Sequence, residues 1–113
     1  MRSSESRDLF PGALEMMILQ TLQRMPMHGY ALARHIKETS DRLLEIEEGS
    51  LYPALQRMLK EGWVKAEWSM SATNRRVRIY QLTKAGAKHL QMEVSSFERM
   101  IKGIEQVLAP VKL

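Results

Sequence analysis

The sequence predicts a mainly α fold carrying one small β-hairpin, and three observations predict it. Apolar residues recur at helical spacing in separate short stretches ahead of Gly62. Two runs with strand-like alternation, residues 63–68 and 76–82, follow close together. A long final stretch then repeats its apolar residues with the ~3.5-residue period of a coiled-coil seam.

The first helix is written in GALEMMILQTLQRM, residues 12–25. Leu14, Ile18, Leu22 and Met25 line one face, flanked by Met17 and Thr21. Gly12 stands at its start. Glu15 falls in the first turn, where the helix dipole favours an anion, and Pro26 ends it. A second helix over residues 29–38 has Tyr30, Leu32, Ala33 and Ile36 as its apolar set. In TSDRLLEIEEG, Leu44 and Ile46 alternate with charged residues, so a short extended piece is expected there.

EEGSLYPALQRMLKEGW, residues 47–63, holds the third helix. With Ser50 as N-cap, its hydroxyl accepts a first-turn N–H. Pro53 then falls inside that first turn, where a missing donor costs little. Leu51, Leu55, Met58 and Leu59 form the buried side, and Gly62 supplies a left-handed terminator.

The hairpin strands concentrate β-branched and aromatic residues, with Val64, Ala66 and Trp68 on one face of the first. SMSATNR between them has turn chemistry. Thr83 is the N-cap of the last helix, which spans 83–109 and closes at Pro110. Its seam is Leu90, Val94, Phe97, Ile101, Ile104 and Leu108, widened by Met100 and Val107. That is more apolar face than one short helix covers, so the stripe predicts a homodimer in which the first-helix residues Leu14 and Ile18 join.

Composition narrows the class. A length of 113 residues fits one domain, with 44% hydrophobic and 27% charged residues. A formal net charge of +4 is compatible with a polyanionic partner. With no cysteine there is no disulfide, thiolate metal site or cysteine nucleophile. No apolar run approaches the ~20 residues of a membrane span, and MRSSESRDLFPG lacks the apolar centre of a secretory signal. A cytoplasmic protein is expected. The expected organisation is a polar arm over 1–8, a head over 9–82, a dimerisation helix over 83–109 and a tail over 110–113.

Three short helices followed by a two-stranded hairpin make a winged helix-turn-helix, which suits double-stranded DNA. On the third helix Pro53, Gln56, Arg57 and Lys60 face away from the leucines. Arg57 is suited to guanine and Gln56 to adenine. Ser50, Tyr52 and the helix start are suited to a phosphate. NRRVR puts Asn74, Arg75 and Arg76 at the hairpin tip, where basic side chains suit the minor groove and its phosphates. Between Arg57 and Lys88 the acids are only Glu61 and Glu67, against eight basic residues.

HGYALARHI, EEGSLYPALQRMLKEGW and NRRVRIYQLTKAG together resemble the PadR family of bacterial transcriptional regulators, over roughly residues 9–105. The resemblance implies a homodimeric repressor with an N-terminal winged helix and a C-terminal dimerisation helix, often answering a small-molecule effector. It implies DNA contact by Tyr30, Ser50, Tyr52, Pro53, Arg57 and the hairpin arginines. The short tail resembles the compact members, which have a single dimer helix.

Plainer roles stand beside these. Tyr52 could pack on the hairpin, Tyr30 in the core, and Arg78 could pair with Glu67 across the strands. His28 reads as a cap or backbone partner. His28, His35 and His89 make no metal site, no cofactor is implied, and no nucleophile–base pair or phosphate-cradling loop suggests an enzyme. Trp63 reads as an anchor of the hairpin against the helices, with ligand stacking by Trp63 and Trp68 as the alternative. A protein-interaction adaptor that binds no DNA is the competing reading of the whole chain.

Overall fold

The computed structural model describes residues 12–111, so the expected arm over residues 1–8 lies outside the described residues. The elements run α1 (Ala13–Arg24), β1 (Met27–His28), α2 (Gly29–Thr39), α3 (Glu48–Glu61), β2 (Val64–Met70), β3 (Arg76–Leu82) and α4 (Lys84–Leu108). The fold is mainly α with a small antiparallel sheet.

Local chemistry sets most boundaries. Gly12 takes a left-handed conformation ahead of α1, and the chain turns extended at Met25 beside Pro26. His28 caps α2 through Nδ1, which accepts the Ala31 N–H at 3.3 Å. Gly62 ends α3 at φ 81°, a conformation that suits glycine. The Thr83 hydroxyl accepts the Gly86 N–H at 3.0 Å and donates to the Gly62 carbonyl at 2.6 Å. One side chain thus starts α4 and ties it to the end of α3.

The start of α3 differs from the expectation. Its N-cap is Glu47, with no side-chain cap bond, and Ser50 lies within the first turn. Buried Ile46 pins the chain just ahead of the helix, and Glu48 in the first turn is favoured by the helix dipole. Pro53 therefore falls in the second turn and removes the bond to the Gly49 carbonyl. Because Gly49 is exposed, water can serve that carbonyl, which limits the cost.

Two further expectations change. Residues 44–47 form no strand; they are a connecting segment fixed by Ile46 and the partly buried Leu44. The sheet has a third strand, β1, which pairs with β3 through Met27↔Tyr80 and His28↔Ile79 and gives the order β1-β3-β2.

The core lies where the three short helices meet the sheet. Ile18, Leu19, Leu32, Leu51, Leu55 and Met58 are fully buried, each worth about 1.5–3 kcal/mol of apolar transfer. Leu90 and Val94 bring the first half of α4 onto this core. The second half runs on from it, and the molecule is 64 × 35 × 21 Å. Among the described residues no helix is long and apolar enough to cross a membrane.

Candidate nucleic-acid interface

The outward row of α3 is set by helical spacing. Leu51, Ala54, Leu55 and Met58 face the core, which turns Gly49, Pro53, Gln56 and Lys60 to solvent. Two flanks border that row. Tyr52 lies on one, towards α2 and the sheet. Arg57 lies on the other, towards α1.

On the Tyr52 flank the packing is close. A Cβ at Gly29 would stand 2.8 Å from the Tyr52 ring and 2.9 Å from its hydroxyl. The absent side chain at the first residue of α2 is what lets the ring sit there. Burial, with smaller contributions from Glu48 and Tyr80, raises the Tyr52 pKa above its ordinary value. The phenol therefore stays protonated at neutral pH and remains a hydrogen-bond donor.

Tyr52, Gly29, Tyr30 and the wing residues Arg75, Arg76 and Arg78 line one cleft of about 440 Å³. Tyr30 is 61% exposed at the start of α2, and the Arg34 guanidinium lies 5.5 Å from its ring. Neither tyrosine is a simple core residue. The wing loop opposite them is closed by its own hydrogen bonds. Ser71 N–H donates to the Arg75 carbonyl at 2.8 Å and Asn74 N–H to the Ser71 carbonyl at 2.9 Å. Ser71 Oγ accepts the Arg75 N–H at 3.1 Å. Asn74 sits at φ 63°, a conformation asparagine tolerates better than most residues.

Arg57 has a different setting. Its Nε and Nη2 both donate to one carboxylate oxygen of Glu15, at 3.2 and 2.6 Å. The first-turn acid of α1 is thus a tether for α3, a role its sequence position did not reveal. Arg78 does not pair with Glu67. The register sets Arg78 against Trp68 and Glu67 against Ile79, so the acid and the arginine point to opposite faces.

Trp63 anchors the hairpin to α4 and not to the short helices alone. Its ring stacks on His89, with centroids 3.6 Å apart and planes 11° from parallel. A Cβ at Gly86 would stand 2.0 Å from the Trp63 carbonyl oxygen. Trp63 and Trp68 therefore sit in separate settings, one at the α4 junction and one on the wing. Among the described residues no group of three or more His, Cys, Asp or Glu could hold a metal ion.

The residues expected at a dimer surface divide. Ile18 is fully buried and Leu14 and Leu90 nearly so, all within this chain. Val94 packs partly against the same core, and Phe97, Ile101 and Ile104 are half-buried. Leu108 is 74% exposed and Val107 84%. An apolar groove of about 510 Å³, lined by Met16, Met17, Ile36, Leu44, Val94 and Phe97 among others, lies between α1, α2 and α4.

Fold and site together define a winged helix-turn-helix protein. Residues 18–92 match the model of the transcriptional regulator PadR-like family. The match covers more than half of the chain, which therefore belongs to that family: it is a DNA-binding transcriptional regulator, not an enzyme. Solved structures of similar fold agree. A transcriptional regulator from Clostridium thermocellum superposes with a TM-score of 0.83 at 26% identity, covering 90% of this chain and 99% of that one. A PadR family regulator from Clostridium difficile R20291 gives 0.75 at 27% identity, over 87% and 100%. A PadR-like regulator from Bacillus cereus gives 0.76 at 25%, over 89% and 96%.

Proposed function

We propose that this regulator is a homodimeric, cytoplasmic repressor that reads an inverted-repeat operator. The third helix enters the major groove with Gln56 and Lys60 at its centre and Ser50 and Pro53 at its leading end. Tyr30 and Tyr52 hold backbone phosphate, and Asn74, Arg75 and Arg76 reach the adjacent minor groove. Arg57 contributes from the edge: with Nε and Nη2 on Glu15, its Nη1 is the nitrogen directed to DNA.

The observation that carries this reading is the cleft in which the two tyrosines and the wing arginines converge beside the exposed row of α3. Such a surface has donors and cations for phosphate on either side of a helix with groove-reading side chains. Self-association is supported by the apolar end of α4, where Ile101, Ile104 and Leu108 continue the seam beyond the core cluster of the described residues. Two heads held this way imply half-sites ~10 bp apart or a multiple of that. The groove between α1, α2 and α4 has the size of a ligand pocket, and is the place this reading gives to a small apolar effector.

Fluorescence anisotropy with duplexes selected from random DNA tests it. The expected result is saturable binding with a two-fold symmetric consensus, an affinity that falls steeply with salt, and a loss of at least about tenfold in Gln56→Ala. Absence of saturable duplex binding in dilute buffer would instead favour a protein-interaction adaptor. Sedimentation as a single chain at micromolar concentration would remove the dimer.

A further inference from the structure

We propose that Trp68 is a positioning residue for DNA binding: it holds the wing arginines Arg76 and Arg78 in a preformed geometry for duplex phosphate. The proposal rests on the DNA-binding reading above and adds a residue and a mechanism to it.

Strand register puts the parts together. Trp68 lies opposite Arg78, and Met70 opposite Arg76. Side chains two apart on a strand share a face, so Trp68, Arg76, Arg78 and Tyr80 all lie on one side of the wing. It is the side whose Tyr80 and Val64 are buried against the helices. Further out, the same face leaves the core, and Trp68 is 59% exposed. Its cross-strand neighbour is Arg78, and the Arg76 guanidinium also reaches its ring.

The Arg76 guanidinium carbon lies 4.4 Å from the Trp68 ring centroid and that of Arg78 lies 5.7 Å from it. Arg78 also lies 6.0 Å from the Tyr80 ring. These distances fall within the ~6 Å reach of cation–π attraction, which is strongest for tryptophan. Arg76 and Arg78 thus share the Trp68 ring, with Tyr80 beyond Arg78, and of these four side chains Arg76, Arg78 and Tyr80 line the cleft.

The physical need for it is plain. Arg75, Arg76 and Arg78 put three cations within four residues, which repel one another and, as long flexible chains, lose rotamer freedom when they bind. A shared π face offsets the repulsion between Arg76 and Arg78 and fixes each stem before DNA arrives. The guanidinium edges keep their N–H donors, because a ring contact uses the face and not the edge. Preorganisation of this kind raises affinity without adding charge.

That last point makes the proposal separable from direct contact by the indole. Anisotropy titrations of the full chain over a range of salt concentrations would compare Trp68→Ala, Trp68→Phe, Arg76→Ala/Arg78→Ala and the triple variant. Trp68→Ala is expected to weaken duplex binding roughly threefold to tenfold with the salt slope unchanged, and Trp68→Phe to recover most of the loss. The double arginine variant should reduce the slope by about two. Adding Trp68→Ala to it should cost nothing more, since nothing remains to position.

An unchanged affinity in Trp68→Ala overturns the proposal. So does an additive loss in the triple variant, which would make Trp68 a direct DNA contact. Thermal melts matching wild type confirm that each variant folds. In DNA-free protein, the arginine Nε–H resonances of Arg76 and Arg78 should carry a ring-current shift that vanishes in Trp68→Ala. Should wild type bind no duplex at all, the function reading falls and this proposal with it; binding by wild type with an inert Trp68 removes this proposal alone.

Discussion

From Gly86 to Val94 the α4 stripe lies against the body of the molecule. Gly86 abuts the Trp63 carbonyl, Leu90 is buried and Val94 packs on the core. From Ile101 to Leu108 the same stripe, at the same spacing, goes from half-buried to largely exposed. One repeat thus serves two purposes. Its first half is intramolecular packing that sets the angle at which α4 leaves the head. Its second half is surface in the single chain and, in the proposed dimer, the contact between copies. An apolar period reports that a face will be covered, but not by what.

That contrast can be broken most severely at Gly86. Gly86→Ala places a methyl on a backbone carbonyl that cannot yield, so its cost should exceed the ~1–3 kcal/mol of ordinary overpacking. Urea denaturation of the purified variant is the measurement, and a wild-type midpoint would contradict the geometry at this junction. Next in size is the pair Leu90→Ala and Ile104→Ala. The first should cost about 3 kcal/mol at any protein concentration. The second should change the stability of the dilute chain by under ~0.5 kcal/mol while weakening self-association in sedimentation equilibrium. Equal effects of the two would erase the distinction between the halves.

Thr83→Ala should remove about 1 kcal/mol, the usual worth of an N-cap, and somewhat more because the hydroxyl also donates to the Gly62 carbonyl. Thr83→Ser, which keeps both bonds, should recover most of it by the same thermal or urea assay. The smallest effect belongs to the Arg57–Glu15 tether. Both groups reach solvent, so a double-mutant cycle with Glu15→Gln and Arg57→Gln should give a coupling of only ~0.2–1 kcal/mol, shrinking with salt. A larger, salt-insensitive coupling would mean that this pair is a structural joint and not a trimmed surface contact.

Much of the architecture could be read residue by residue. Gly62, Thr83 and Pro26 mark their boundaries because caps and breakers act over one helical turn. His28 was legible as a cap for the same reason. The start of α3 was misplaced by Ser50, a good cap in isolation; buried Ile46 and the acids Glu47 and Glu48 set the start earlier. Strand β1 has two residues, too few to alternate, and exists only because β3 offers it an edge. Glu15 and Arg57 are 42 residues apart, and no local rule links them.

By itself, then, the sequence determined the four helices and the hairpin in their order, the outward row Pro53, Gln56 and Lys60, and the family motifs, but neither β1 nor the strandless segment before α3. All of these follow from interactions between near neighbours in the chain. Tertiary structure decided which half of α4 is core, that Arg57 is tethered to α1, that Gly29 makes room for Tyr52, and that two arginines lie within cation–π distance of Trp68. Those facts depend on how distant segments approach, because burial and charge pairing are properties of packed surfaces and not of spacing along a chain.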